Sequence, residues 1–303
     1  MSTMTVAERL DLVALLRGLS PPDPPVHQPV LRPDLAAMVA APLPRPPRAI
    51  LFDIYGTLVM SSAGGEPGLI VREDGAEAGA ATGRLGAELE AAGFRGGPEG
   101  FARDMAGLIA RERGRLLARK AHPEVDLEEL AARLVAGKPA PTARRLALLL
   151  EASVNPCAPM AGAKDLLSRL VAMGKRLGLV SNAQFHTPIL LEALFGAPPT
   201  GLGFEGALCA FSYQEGIAKP DEDLFRKAAG PLIASGMRPG EILVVGNSSD
   251  NDIAPARELG FMSALFAGDA RSFRPSAPGS AGASPDTVIR ALGDLTSLFP
   301  SPG

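Results

Sequence analysis

The chain has 303 residues but no tryptophan, two tyrosines, two cysteines and three histidines. With aromatics at only 5%, buried volume must come from leucine, valine, isoleucine and alanine. Cys157 and Cys209 stand too far apart for a metal-ligand or redox spacing, so they read as reduced, partly buried thiols, with one disulfide as the alternative. Neither charge is in excess: 30 basic against 33 acidic residues leave a net charge of −3. That excludes an electrostatic case for nucleic acid or an anionic membrane as partner. No apolar run approaches the roughly 20 residues needed to span a bilayer. The N-terminus lacks a basic segment followed by an apolar one, so no secretory signal is expected and a cytoplasmic location is.

What is present is ordinary in bulk, 46% hydrophobic and 21% charged, and long enough for one large domain or for a core carrying a smaller one. Residues 4–18 have helical periodicity, with Val6, Leu10, Val13 and Leu16 roughly on one face. Prolines then crowd the stretch from 21 to 47, which predicts an extended arm packed on the surface. RAILFD at 48–53 is a continuous apolar run, as a strand buried on both faces requires. Ser61, Ser62, Gly64 and Gly65 suit a hinge or flap. From about 83 to 151 the pattern is helical, with Phe101, Met105, Leu108, Ile109, Leu116 and Leu117 at three- and four-residue steps. After Pro156 helices alternate with strands at 176–180, 207–212 and 241–245 and a short strand MSALF, which argues for a mostly parallel sheet covered by helices.

Polar residues recur just beyond these strands. Asp53, Ser181 with Asn182, and Asn247 with Asp252 all follow carboxyl ends, and Lys219 lies in the loop after another strand. In open α/β sheets that edge is where ligands bind. A carboxylate at a strand end can act as a nucleophile and split one hard step into two. Serine, threonine and asparagine can donate to an anion, and a lysine beside the carboxylate stabilises developing charge. Each residue also has an ordinary structural role open to it: helix cap, turn or solvated face.

FDIYGTL (52–58), LVSNA (179–183), AKPDEDLF (218–225) and VVGNSSDND (244–252) together resemble the four motifs of the haloacid dehalogenase-like hydrolase superfamily, in order and spacing, over residues 48–268. The resemblance implies a three-layer, Rossmann-like α/β core with an all-helical cap inserted after the first motif. The core would comprise 48–62 and 157–303, the cap 63–156, and the N-terminal helix and proline-rich arm 1–47. It implies Asp53 as nucleophile, Thr57, Ser181 and Lys219 as catalytic partners, and Tyr55, Asn182 and Thr57 as substrate contacts; His186, close after the second motif, is a further candidate contact by position, with a helix cap as its ordinary role. It also implies a Mg²⁺ site from Asp53, the backbone carbonyl of Tyr55, Asn247 and Asp252, with Asp250 a candidate to compensate for the uncharged Asn247.

Two departures shape the activity. Family phosphatases usually carry an acid two residues after the nucleophile, where this chain has Tyr55, and an acidic metal ligand where it has Asn247. Halide-releasing relatives carry a DxYGT motif, but also a serine at the position of Asn247, an asparagine at that of Ser249 and a tyrosine at that of Phe225. The first expectation is a Mg²⁺-dependent phosphohydrolase acting on a small anionic metabolite through an aspartyl-phosphate. The second is a metal-independent 2-haloacid-type dehalogenase, and the third a catalytically silent binding protein. His186 is a candidate replacement acid and His122 a candidate substrate contact, whereas His27 belongs to the arm. Arg111, Arg113, Arg115, Arg119 and Lys120 read as a solvated helix face. A monomer or a homodimer is expected.

Overall fold

The computed structural model describes residues 3–19, 27–61, 80–276 and 284–299. Its centre is a six-stranded sheet of β1 (Ala49–Phe52), β4 (Arg176–Ser181), β5 (Phe204–Phe211), β6 (Ile242–Gly246), β7 (Met262–Phe266) and β8 (Thr287–Ile289). Every pairing in it is parallel, in the order β5-β4-β1-β6-β7-β8. A short antiparallel pair, β2 (Val59–Ser61) and β3 (Cys157–Pro159), stands beside it.

The continuous apolar runs follow from burial on both faces. Ile50 and Phe52 of β1 join one core cluster, with Leu177, Leu179, Leu243 and Val245. Ala49 and Leu51 join another, with Val180, Ile242 and Val244. The first face is covered by α7 (Ala163–Ala172) through Leu166, Leu167 and Leu170 and by α8 (Thr187–Phe195) through Ile189 and Leu191. The second is covered by α10 (Glu222–Ala234) through Leu224, Phe225, Ala228 and Leu232. These three layers match the α/β architecture expected from the sequence.

Between β2 and β3 the chain forms α3 (Ala80–Ala91), α4 (Gly97–Leu117), α5 (Leu127–Leu134) and α6 (Ala140–Val154). Side chains tie this helical segment to the sheet. Gln184 donates to the carbonyl of Val125 at 2.9 Å and accepts from the Leu127 N–H at 3.0 Å. Ser212, the first residue of the short α9 (Ser212–Glu215), donates to Glu124 at 2.8 Å. Before the sheet come α1 (Val6–Leu19) and α2 (Pro33–Ala36); after β6 a π-helical turn at Ser249–Ile253 leads into α11 (Ala254–Glu258).

Four details differ from the sequence reading. In α1 the buried face is Leu12, Val13, Leu15 and Leu16, while Val6 and Leu10 are 68% and 50% exposed. The helix packs on α6 and α8, meeting them through Glu8, Arg9 and Asp11 in its first half and through leucines in its second, so Val6 and Leu10 turn outward. β5 starts at Phe204, earlier than the apolar run suggests, because an edge strand tolerates Glu205 and Gly206 on its open side. β2, β3 and β8 are three-residue strands, too short to carry a period. The helix expected to start at Asp252 begins instead as the π-helical turn. The flap residues Ser62, Gly64 and Gly65 lie outside the described residues. No helix among the described residues is long and apolar enough to cross a membrane. Both cysteines are free.

Candidate active site

β1 lies between β4 and β6, so the residues that follow these three strands meet although they are far apart in the chain. Asp53 leaves β1 and keeps the strand ladder for one more residue, its N–H donating to the Val245 carbonyl at 2.9 Å. A tight turn then folds back: the N–H groups of Thr57, Leu58 and Val59 all donate to the Ile54 carbonyl. Gly56 has φ +86° in this turn, and a Cβ there would lie 2.5 Å from the Asn247 amide nitrogen. Only glycine allows that backbone and that approach. The turn returns the Thr57 hydroxyl to Asp53.

The Asp53 carboxylate, 4% exposed, is surrounded by donors. Lys219 Nζ reaches Oδ1 at 2.6 Å, Ser181 Oγ reaches the same oxygen at 3.1 Å, and Thr57 Oγ1 reaches Oδ2 at 3.1 Å. Lys219 also donates to Asp252 Oδ1 at 2.6 Å. Asp252 Oδ2 accepts the Ser248 N–H at 3.0 Å. Gly246 makes room for this carboxylate, since a Cβ there would stand 2.3 Å from it.

One ammonium thus serves two buried carboxylates. Burial pushes Asp53 up, Lys219 pulls it down and Asp252 pushes it up again, leaving it near 6. Burial opposes the charge on Lys219, but the two carboxylates outweigh it and hold the amine above its ordinary value. At neutral pH the cluster is therefore an ionised carboxylate beside a fixed cation.

The remaining sequence candidates have definite places. Asn182 clamps the lysine loop: its Oδ1 accepts the Lys219 N–H at 2.7 Å, and its Nδ2 donates to the Lys219 carbonyl at 3.4 Å. Asn247 Nδ2 donates to the Ser272 carbonyl, which turns Oδ1 toward Thr57, 3.4 Å away. Tyr55 is buried, with its hydroxyl 2.9 Å from Thr187 Oγ1, and burial holds the phenol well above its ordinary value. His186 caps α8 by position. It is 3% exposed, neither ring nitrogen has a hydrogen-bond partner, and burial lowers it to about 4. That imidazole is neutral near pH 7 and lacks the imidazolium proton that a general acid gives up.

Asp250 is exposed on the turn, and Phe225 is fully buried under the sheet. His122 and His27 are exposed, as are Arg111, Arg113, Arg115, Arg119 and Lys120. Arg115 pairs with Glu112 as a solvated face does, whereas Arg113 reaches the buried Glu124. Three contributors escaped the sequence reading: Ser272, Thr187 and the Ser248 backbone. The first lies in an irregular loop without any pattern, and the others stand at helix starts, where serine and threonine are common.

For a metal, the donor set is entirely oxygen. Asp53, the Tyr55 carbonyl and Asn247 Oδ1 suit a hard cation such as Mg²⁺, which keeps several waters and takes one or two carboxylates from the protein. Asp252 is engaged by Lys219 and Ser248, and Asp53 by Lys219, Ser181 and Thr57, so both carboxylates of the set already accept hydrogen bonds.

A family model described as haloacid dehalogenase-like hydrolase matches residues 47–260. The phosphoserine phosphatase of Thermus thermophilus is 34% identical over 137 residues, 45% of this chain and 48% of that one. This chain therefore spans about half the length of that relative. Among solved structures, a dehalogenase with an intermediate complex is 18% identical, with a TM-score of 0.51 over 86% of this chain and 100% of that one. A HAD phosphatase from Thermococcus onnurineus is 20% identical, with a TM-score of 0.47 over 83% of this chain and 97% of that one.

Proposed function

This chain belongs to the haloacid dehalogenase-like hydrolase family, and from that premise we propose that it is a phosphohydrolase of small phosphorylated metabolites with Asp53 as its nucleophile. The observation that carries the reading is the set of donors on Asp53: an ammonium and two hydroxyls, all within 3.1 Å, hold its carboxylate at the carboxyl edge of the sheet. The relative named a phosphoserine phosphatase supports phosphorus over carbon as the centre attacked.

In the first step a carboxylate oxygen of Asp53 forms a bond to phosphorus, and the bond from phosphorus to the leaving oxygen breaks with its electron pair. In the second, water attacks the aspartyl-phosphate, inorganic phosphate leaves and Asp53 is restored. Lys219 lies where negative charge develops and costs no reorganisation, being already held by two carboxylates. Ser181 and Thr57 orient the carboxylate. Asn182 acts one step away, by holding the backbone that carries Lys219. Asp53, the Tyr55 carbonyl and Asn247 would hold Mg²⁺, which when bound supplies Lewis-acid stabilisation of the phosphoryl oxygens. The helices α3–α6, joined to the core at β2 and β3, would act as a cap that excludes water and selects substrate.

Tyr55 takes the place of the usual acid, and its hydroxyl is committed to Thr187. The preferred leaving groups are then those that depart without a proton, such as acyl and aryl phosphates. The same observation favours a second reading, a dehalogenase, because halide needs no proton and Lys219 already neutralises Asp53.

The test is turnover of acetyl phosphate and an aryl phosphate, with Mg²⁺ and with EDTA, by the wild type and by Asp53→Asn. Mg²⁺-dependent phosphate release that drops about 10³-fold or more in the variant supports the proposal. No phosphate release, with halide released from 2-chloropropionate in EDTA, would replace it with the second reading.

A further inference from the structure

One extended stretch joins the helical segment to the loops of the candidate site. After α4 ends at Leu117, Pro123 disfavours a helical conformation at His122, and α5 starts only where Asp126 accepts the Glu128 and Glu129 N–H groups. The backbone groups in between must find partners elsewhere. They find them on the loop that carries Lys219. The Ala218 N–H donates to the His122 carbonyl at 2.8 Å and the Glu124 N–H to the Gly216 carbonyl at 3.3 Å, an antiparallel bridge of Pro123 with Ile217. Lys120 Nζ donates to the same Gly216 carbonyl at 2.9 Å.

Glu124 fixes this stretch from the inside. It is buried; its Oε1 accepts the Val125 N–H at 2.9 Å and Arg113 at 3.2 Å, and its Oε2 accepts the Ser212 hydroxyl at 2.8 Å. Ser212, also buried, accepts the Ala183 N–H at 2.8 Å. The partners thus come from both sides, Arg113 and Val125 from the helical segment and Ser212 from the core. A buried carboxylate that loses a partner is left uncompensated, so the arrangement resists partial opening. At the core end these contacts flank a single pair of residues. Ala183 and Gln184 follow Asn182, Ala218 precedes Lys219, and Asn182 clamps the Lys219 backbone. Gln184 in turn holds Val125 and Leu127.

We propose that Glu124 is a positioning residue for Lys219: through Ser212 it seats residues 120–127 on the core, and the seated stretch holds the loop that brings the ammonium to Asp53. The proposal rests on reading Lys219 as the cation of the active site. It makes that site complete only while the helical segment is docked.

The experiment is amide hydrogen exchange, followed by NMR on the full chain without substrate. Ala218 and Leu127 report docking, since their N–H groups cross between core and helical segment. Lys219 reports the loop, since its N–H donates to Asn182 within the core. Ala267, bonded to the Ile289 carbonyl at 2.8 Å, is the reference. Glu124→Ala should accelerate exchange at Ala218, Leu127 and Lys219 by about tenfold or more, as loss of a hydrogen bond to a charged group predicts, and leave Ala267 unchanged. Glu124→Gln, which keeps an oxygen for the Ser212 hydroxyl, should recover most of the protection. Ser212→Ala should match Glu124→Ala, and it decides the matter if that variant does not fold. Because no turnover enters the readout, failure of the hydrolase reading is detected separately, by the absence of phosphate release. Acceleration at Ala218 and Leu127 with Lys219 unchanged, no acceleration at any of the three, or equal acceleration at Ala267 would each overturn the proposal.

Discussion

Asp53 and Glu151 are both buried carboxylates, 4% and 6% exposed, and burial raises both, to about 6 and about 7. Their surroundings differ. Three side-chain donors, one of them a cation, converge on Asp53; Glu151 has one amide on one oxygen and nothing on the other. Similar net shifts thus arise from different balances. At Asp53 desolvation is opposed by Lys219 and reinforced by Asp252, whereas at Glu151 it is opposed only by Asn155. A raised carboxyl alone therefore does not identify a nucleophile; the partner set does.

Lys219→Met would break the comparison most strongly, by making Asp53 resemble Glu151. It leaves two carboxylates facing each other without their cation, so urea unfolding should show a loss of about 3–5 kcal/mol together with loss of turnover. Unchanged stability would mean that the ammonium is not what holds the pair.

Glu151→Gln acts at the other end of the comparison. With its folded value raised from 4.5 to about 7, Glu151 contributes stability that is present below pH 4.5 and lost as pH rises through 7. The variant has no such loss, so its stability relative to wild type should rise by about 3 kcal/mol across that window and then stay level. A flat difference in paired urea titrations from acid to neutral pH would refute this.

Asp53 sharpens the contrast through activity. In the proposed mechanism its ionised form attacks, so kcat/KM should fall about tenfold per pH unit below an acid limb near 6. A limb near the ordinary carboxylate range would show that Lys219 outweighs burial and Asp252. The smallest effect is expected at Arg145, whose partners Asp11 and Glu88 are solvent-accessible. Arg145→Ala should cost less than about 1 kcal/mol in the same unfolding assay.

The Asp53 cluster was legible in the chain because each member sits at a strand terminus and strands of this class read as apolar runs. Asp53, Ser181 and Asn247 could be placed on one edge from that pattern alone. What the pattern withheld was partner choice: that Asn182 would clamp the Lys219 backbone, and that Asp252 would spend both oxygens on Lys219 and Ser248. These depend on rotamers and on loops such as that of Ser272, which have no period. Glu151 was invisible for a related reason. It is one polar residue in a helical stretch, and its burial arises only when α1 and α8 close over α6.

By itself, then, the sequence determined the layered parallel sheet, the place of Asp53 at a strand end and the helical pattern of the residues between 80 and 154. Local periodicity and strand-end chemistry act over a few residues and survive in one dimension. Only the tertiary structure decided which charges share a cation and which stay unpaired. Those outcomes depend on the meeting of residues 16–19, 148–157 and 186–190, and of Lys219 with Asp53 and Asp252, across distances over which the chain carries no repeating signal.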